Sequence, residues 1–283
     1  MSCTLCRLSL AFLGCALLNA CSTAHFESED GIYLLRYGQS SYSASEVFEQ
    51  GSGGTVPFAW YFGLMRSRSD LTLIDCGIRQ ERLARQWSIA GFTEQVTLLA
   101  RIGVQPEDIT RVILTHLHAD HVDGCAAFTH AQFFVQKREF DSMNDAFASA
   151  GEGKVSANGY RREHLDFLTS LQQEGRLTLV DGNETITPSL STELHPFHTA
   201  GMQAVIVDAG SGQTVAFVSD NAYVMDNVTQ EHPIGAARDI EGDRDYLRML
   251  HAWQSPLHII IPGHDSSLFY RSPEVATDIV RVR

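Results

Sequence analysis

Thr115-His116-Leu117-His118-Ala119-Asp120-His121-Val122-Asp123-Gly124 places four side chains able to bind metal, His116, His118, Asp120 and His121, within six residues. A tetrahedral ion that keeps one position open for water takes about three protein ligands, so this density predicts two ions sharing one loop. The preceding run, Arg111-Val112-Ile113-Leu114-Thr115, is β-branched and apolar and reads as a buried strand feeding the loop. In an extended segment residues two apart point the same way, so His116 and His118 face one ion while Asp120 and His121, beyond the bend, face a second. Ordinary hydrogen bonding would account for any one of these histidines. Three histidines and an aspartate at this spacing, after a buried strand, favour metal. One loop supplies too few ligands for two ions, so others must come from elsewhere.

The loop sits in a chain of 283 residues that is 44% hydrophobic with a formal charge of −13. That length admits one large domain or two small ones, and we expect a single catalytic domain over residues 22–283. The acidity, with no run of Lys or Arg, argues against a nucleic-acid partner. Residues 1–21 stand apart as a signal peptide: Arg7 is their only charge, and the apolar run 8–18 is short for a membrane span. Leu18-Asn19-Ala20-Cys21 resembles a bacterial lipobox, which predicts an exported chain, periplasmic or anchored as a lipoprotein through Cys21. Cleavage and release is the alternative. Outside this leader only Cys76 and Cys125 remain. They are expected as small buried thiols, with metal ligation or a mutual disulfide as alternatives.

Strands are predicted over 31–37 and 58–64 from their Ile, Tyr, Leu, Phe and Trp content, and Leu71-Thr72-Leu73-Ile74-Asp75-Cys76-Gly77 reads as another that ends in an aspartate and a glycine turn. Gly51-Ser52-Gly53-Gly54 reads as a hairpin loop or an active-site flap, since it lacks the Walker lysine. Helices are predicted over 93–102 and 137–148, and a third carries Leu165, Leu168 and Leu171 and stops at Gly175. The last two form a helical insertion around 137–175. Strands return at 177–180, 192–196, 204–208 and 215–219, with a hairpin turn at Gly210-Ser211-Gly212. Tyr246, Leu250 and Trp253 mark a helix face, and Ile259-Ile260-Ile261 a final strand. The alternation predicts an α/β protein.

Three later positions can complete the ligand set, each where a strand run stops: His198, Asp220 and His264. The combined pattern, His116-x-His118-x-Asp120-His121 followed by these three, resembles the metallo-β-lactamase superfamily. Finer features resemble the N-acyl-homoserine lactonase family: Leu73-Ile74-Asp75-Cys76-Gly77, Val112-Ile113-Leu114-Thr115-His116-Leu117-His118, Ser219-Asp220-Asn221-Ala222-Tyr223 and Ile261-Pro262-Gly263-His264-Asp265. The resemblance runs from about Ile32 to about Ser272 and implies an αββα sandwich of the metallo-β-lactamase type. It implies that His116, His118 and His198 hold one metal, that Asp120, His121 and His264 hold a second, and that Asp220 bridges them. Two divalent ions are implied, with Zn2+ expected and iron, cobalt or manganese also suited to these ligands. Asp120, Asp220 and Tyr223 would be catalytic, Tyr223 through a hydrogen bond to the substrate carbonyl or the leaving oxygen.

The chain also departs from that pattern. Phe197-His198-Thr199-Ala200-Gly201 lacks the usual proline and leading glycine, so His195 competes with His198 as a ligand. Cys76 stands where threonine is usual. Asp75 is expected to orient a ligand histidine, and Asp123 and Asp265 either support ligands or face solvent. His25, His130, His164, His232, His251 and His258 are read as surface or core residues.

The implied activity is that of a dinuclear-metal hydrolase opening a lactone ring, N-acyl-homoserine lactone or related, by metal-activated hydroxide. Other hydrolases of the fold (β-lactamase, glyoxalase II-like thioesterase, phosphodiesterase), an iron-dependent oxidoreductase and a noncatalytic metal-binding lipoprotein are the alternatives. No Gly-x-Ser-x-Gly occurs, which argues against a serine hydrolase. The expected partner is a small lactone or ester, with membrane contact only through the lipid anchor and a homodimer as a family expectation.

Overall fold

The computed structural model describes residues 29–67, 70–151 and 153–283. The leader, the lipobox cysteine and His25 lie outside these residues. From the first described strand, β1 (Gly31–Ser43), the chain passes through α1 (Ala44–Val47) into β2 (Thr55–Ser67) and β3 (Asp70–Ile74). Next come α2 (Glu81–Gln86), α3 (Gln95–Arg101), β4 (Arg111–Ile113), α4 (Ala119–Val122) and β5 (Gln132–Gln136). The insertion holds α5 (Lys137–Ala150), a small hairpin of β6 (Ser156–Ala157) and β7 (Tyr160–Arg161), and α6 (Arg162–Gln173). β8 (Leu177–Val180), β9 (Glu184–Thr187), β10 (Leu190–Leu194), β11 (Gln203–Gly210) and β12 (Gln213–Ser219) follow. The chain closes with α7 (Met225–Thr229), α8 (Ile240–Trp253), β13 (His258–Pro262), α9 (Leu268–Arg271), β14 (Glu274–Ala276) and β15 (Ile279–Arg281).

Among the described residues the strands form an eight-stranded sheet, ordered β14-β15-β1-β2-β3-β4-β5-β8, and a five-stranded sheet, ordered β13-β12-β11-β10-β9. Strand periodicity sorts side chains into layers. Ile32 and Leu34 of β1 join Ile113, Val205, Val207 and Phe217 between the sheets. Tyr33 and Leu35 point the other way, into a core with Leu98, Leu99, Leu165 and Leu168 of α3 and α6. On the outer face of the smaller sheet, Ala216, Val218 and Ile260 pack against Tyr246, Leu247 and Leu250 of α8. Helix, sheet, sheet and helix therefore stack as the αββα sandwich.

β3 and β4 are parallel, and so are β12 and β13. Asp75, His116, Asp220 and His264 lie just past the C-terminal ends of these four strands, where open α/β sheets place ligand sites.

The structure departs from the sequence reading in several places. The insertion includes the β6–β7 hairpin as well as helices. Gly51–Gly54 lies in the connection between antiparallel β1 and β2, where Ser43 pairs with Thr55, so the hairpin alternative holds; the flap alternative does not, because the wall of the central pocket comes from Tyr42 and Glu46 just before it. β9, β14 and β15 do not show in the sequence because each is only three or four residues long. Cys76 and Cys125 are joined in a disulfide, which corrects the reading as free thiols. Backbone bonds between distant turns bring the two together: Cys76 N–H donates to His121 C=O at 2.8 Å and Gly124 N–H to Gly77 C=O at 2.9 Å.

Candidate metal centre

Seven side chains converge above the ends of these strands in two groups: His116, His118 and His198, and Asp120, His121, Asp220 and His264. Asp220 faces both. Its Oδ2 lies 3.8 Å from His116 Nε2 and 3.6 Å from His198 Nε2, while its Oδ1 lies 3.6 Å from His121 Nε2 and 3.4 Å from His264 Nε2. Asp120 Oδ2 completes the second group, 3.2 Å from His121 Nε2 and 3.6 Å from His264 Nε2. In the first group His198 Nε2 and His118 Nδ1 are 3.0 Å apart.

The ring nitrogens are sorted by partners on their far side. His121 Nδ1–H donates to Asp75 Oδ2 at 2.8 Å and His264 Nδ1–H to the Ala59 carbonyl at 3.2 Å, so each Nε2 faces the centre. His116 Nδ1 lies 3.2 Å from Thr115 Oγ1. Asp75 is itself fixed, accepting from Thr115 N–H and Thr115 Oγ1–H, both at 2.8 Å. Its backbone sits at φ +61°, costly for a non-glycine residue and here overdetermined by those bonds.

A divalent cation fits this donor set. His116 Nε2, His121 Nε2 and Asp220 Oδ1 are buried, aimed into the centre and lack hydrogen-bond partners among the described residues, and such atoms are costly to leave bare. Burial, reinforced by the His121 and His118 rings, lowers His116 well below the usual imidazole range. Burial and His118 take His198 down to about 3. Both rings are thus neutral, the form that binds metal. Burial pushes Asp220 upward, but the His121 and His264 imidazoles outweigh it and hold the carboxyl well below its ordinary range. Burial alone would lower His121, yet Asp120, Asp220 and Asp75 raise it well above the usual value. The centre is therefore a well of negative potential that draws in positive charge.

His195 lies outside both groups, stacked on Tyr246 with ring centroids 4.0 Å apart. Asp123, Glu163 and His164 make a third cluster. Asp123 already accepts from the backbone of Arg79 and Gln80, the Gln80 amide and His164 Nε2, so its oxygens are satisfied without an ion. Asp265 likewise accepts from Met225 and Ser267 N–H.

A cavity of about 260 Å³ opens over the two groups. Tyr42, Phe58, Trp60, Trp87 and Tyr223 line it, with Glu46 at its side, and no Lys or Arg is among the described lining residues. Phe58 stacks on His264 at 4.4 Å and Tyr42 stacks on Phe58 at 4.6 Å, so the aromatic wall is continuous with the ligands. A larger surface groove of about 960 Å³ runs along α5 but carries none of the clustered ligands.

Sequence reading missed Glu139, Tyr160 and the turn Asn158-Gly159 beside His118. The Asn-Gly dipeptide is itself a hairpin signal, and its backbone has φ +49° and +82°. No sequence signal marked Glu139, whose partners are two distant backbone N–H groups and the Tyr160 hydroxyl.

A profile of the metallo-beta-lactamase superfamily matches residues 59–264. An N-acyl homoserine lactonase of Bacillus cereus is 24% identical over 172 residues, 60% of this chain and 61% of that protein. The N-acyl homoserine lactonase AttM of Rhizobium johnstonii is 26% identical over 190 residues, 65% of this chain and 68% of that one. This chain thus matches about three fifths of the length of the Bacillus relative. Among solved structures, an N-acyl homoserine lactone hydrolase with N-hexanoyl-L-homoserine at its catalytic metal centre superposes with TM-score 0.70 at 21% identity, covering 87% of this chain and 97% of that one. The dizinc quorum-quenching lactonase AidC superposes with TM-score 0.67 at 17% identity, covering 84% and 89%.

Proposed function

This chain belongs to the metallo-β-lactamase superfamily, and we propose that it is a dinuclear-metal hydrolase that opens a lactone ring, an N-acyl-homoserine lactone or a close relative. His116, His118 and His198 would hold one ion, and Asp120, His121 and His264 the other, with Asp220 between them. Two such ions, when bound, lower the pKa of a water toward neutrality and polarise an ester carbonyl.

The observation that carries the lactone reading is the character of the cavity: aromatic walls, Glu46 at the side and no cation among the described lining. A cephalosporin or a glutathione thioester carries carboxylates, and a phosphodiester its own charge. Away from the ions, their further charges would find no Lys or Arg among the described lining residues, and Glu46 is the side chain nearest the rim. A lactone is uncharged, and its ring and a short acyl chain suit an aromatic-walled cavity of about 260 Å³. The lactonases among the relatives support the same substrate class.

The chain's own residues then divide the work. Asp120 and Asp220 stay ionised and hold positive charge over the strand ends. Tyr223 lines the cavity, and burial, with Asp220 next, raises its phenol well above the ordinary value. It therefore keeps its proton at neutral pH and can donate a hydrogen bond to the carbonyl or the leaving oxygen as the ring C–O bond breaks.

The test offers the zinc-loaded chain an acyl-homoserine lactone, a cephalosporin and a glutathione thioester in parallel, with chelated protein as control. Chelator-sensitive lactone opening above the other two activities is expected. Preferential cleavage of either rival would overturn the substrate class while leaving the metal assignments standing.

A further inference from the structure

Glu139, in the first turn of α5, is fully buried, and its carboxylate gathers three donors. Oε1 accepts from Leu117 N–H at 3.2 Å and from Tyr160 O–H at 3.0 Å, and Oε2 accepts from Gly201 N–H at 2.8 Å. Each donor belongs to a segment that meets the first cluster. Leu117 lies between His116 and His118. Gly201 is in the turn after His198, and Tyr160 follows the Asn158-Gly159 tip.

The glycines show how closely these segments are fitted. A Cβ on Gly201 would lie 2.2 Å from Glu139 N, and one on Gly159 would lie 2.5 Å from His118 Nε2. An apolar residue would fill the space at 139 without the cost of burying a carboxylate. Glutamate is accounted for by the three donors, two of which are backbone groups beside metal-ligand candidates. The hairpin tip rests on His118, and Gly159 lines the cavity, so the same carboxylate also sets one wall of the substrate space through Tyr160.

We propose that Glu139 is a positioning residue for the first metal site and that, through Tyr160, it seats the Asn158-Gly159 tip as a specificity-determining wall beside His118. The inference rests on the metal reading of the two clusters. Loss of a partner behind metal ligands typically weakens metal binding about 10–100-fold. Glutamine at 139 keeps the shape but turns an N–H₂ toward groups that are themselves donors, whereas Tyr160→Phe removes only the latch to the hairpin.

The experiment titrates the full chain with Co2+ against a chromophoric chelator, following the visible absorption of each site, and then measures lactone kinetics. Wild type is expected to bind two ions, and Glu139→Gln to keep one while binding the other about 10–100-fold more weakly. General destabilisation would not single out one ion. Tyr160→Phe is expected to keep both ions and to raise KM by a larger factor than it changes kcat, a result obtainable even if Glu139→Gln does not fold. Folded Glu139→Gln that binds both ions as tightly as wild type overturns the metal half of the proposal, and unchanged KM in Tyr160→Phe overturns the wall half. Wild type binding fewer than two ions overturns the metal reading itself and this inference with it.

Discussion

Cys76 is bonded to Cys125, so the turn following Asp75 is covalently tied to the turn following the His-rich loop. Asp75 in turn holds His121 Nδ1 at 2.8 Å. The covalent tie thus lies one residue from the carboxylate that aims a metal-ligand candidate, and it reinforces backbone hydrogen bonds already joining the same turns. The bridged residues are 49 apart in sequence, and a disulfide of that kind typically contributes about 2–4 kcal/mol, chiefly by restricting the unfolded chain. Replacing both cysteines with alanine should lower stability by about that amount, read as a lower urea midpoint in metal-free protein. Coincident unfolding curves for variant and oxidised wild type would remove the disulfide from the account of stability.

A disulfide of this kind persists in oxidising compartments, in keeping with our proposal that the leader exports the chain. If Cys21 is the lipid attachment point, Cys21→Ser should move the protein from the membrane to the soluble fraction. Unchanged fractionation would count against the anchor.

Among the described residues Asp220 is the one carboxylate with an oxygen toward each group of histidines. Asp220→Ala should therefore disturb both sites, lowering bound metal below two ions per chain and reducing turnover by more than about 100-fold, beyond what loss of an outer partner costs. His118→Ala should affect the first site and leave the second occupied. Elemental analysis after gel filtration reads both. Two retained ions in Asp220→Ala would deny that residue its shared role.

Much of this centre was legible because its chemistry is local in sequence. His116, His118, Asp120 and His121 share one loop, and His198, Asp220 and His264 each lie where a run of strand residues stops. What escaped depends on long-range geometry. Glu139 meets Leu117 and Gly201 only because the sheets bring them together. Cys76 and Cys125 carry no mark that distinguishes a bridge from two thiols. The β6–β7 hairpin was overlooked despite its Asn-Gly turn because two-residue strands are too short to show alternation. β14 and β15 gain their order by pairing onward from β1, a partner more than two hundred residues away.

Asp243 supplies a pH dependence separate from the metals. It is fully buried, Oδ2 accepts only from Ile234 N–H at 3.2 Å, and Oδ1 lacks a hydrogen-bond partner among the described residues. Burial, with the nearby Asp239 charge adding and the Ile234 bond partly offsetting, raises its pKa from 3.8 to about 7. The folded state thus holds this proton more tightly than the unfolded chain. The stability it confers is fully present below about pH 4 and is lost as the pH rises through about 7. At about 1.4 kcal/mol per tenfold change in proton affinity, the loss is on the order of 4 kcal/mol. Asp243→Asn should not show it. In metal-free protein the stability difference, wild type minus variant, should fall from about pH 4 to about pH 7 and be flat above it. A difference that stays flat across that range would show that Asp243 titrates normally.

Tyr223 separates a catalytic contact from a packed aromatic. Its ring is fixed by Phe58 at 5.5 Å, His198 at 5.8 Å and His264 at 5.8 Å, and these contacts survive removal of the hydroxyl. Tyr223→Phe should therefore keep fold and metal content. If the hydroxyl donates to oxygen as charge develops, the loss belongs to the transition state. kcat should then fall, by up to about 10²–10³-fold for a fully engaged donor, and KM should move little. If the hydroxyl only helps to bind the intact lactone, KM rises at constant kcat. Measuring both constants with one lactone and equal zinc loading decides between these roles, and wild-type values for both would return Tyr223 to the aromatic wall as packing alone.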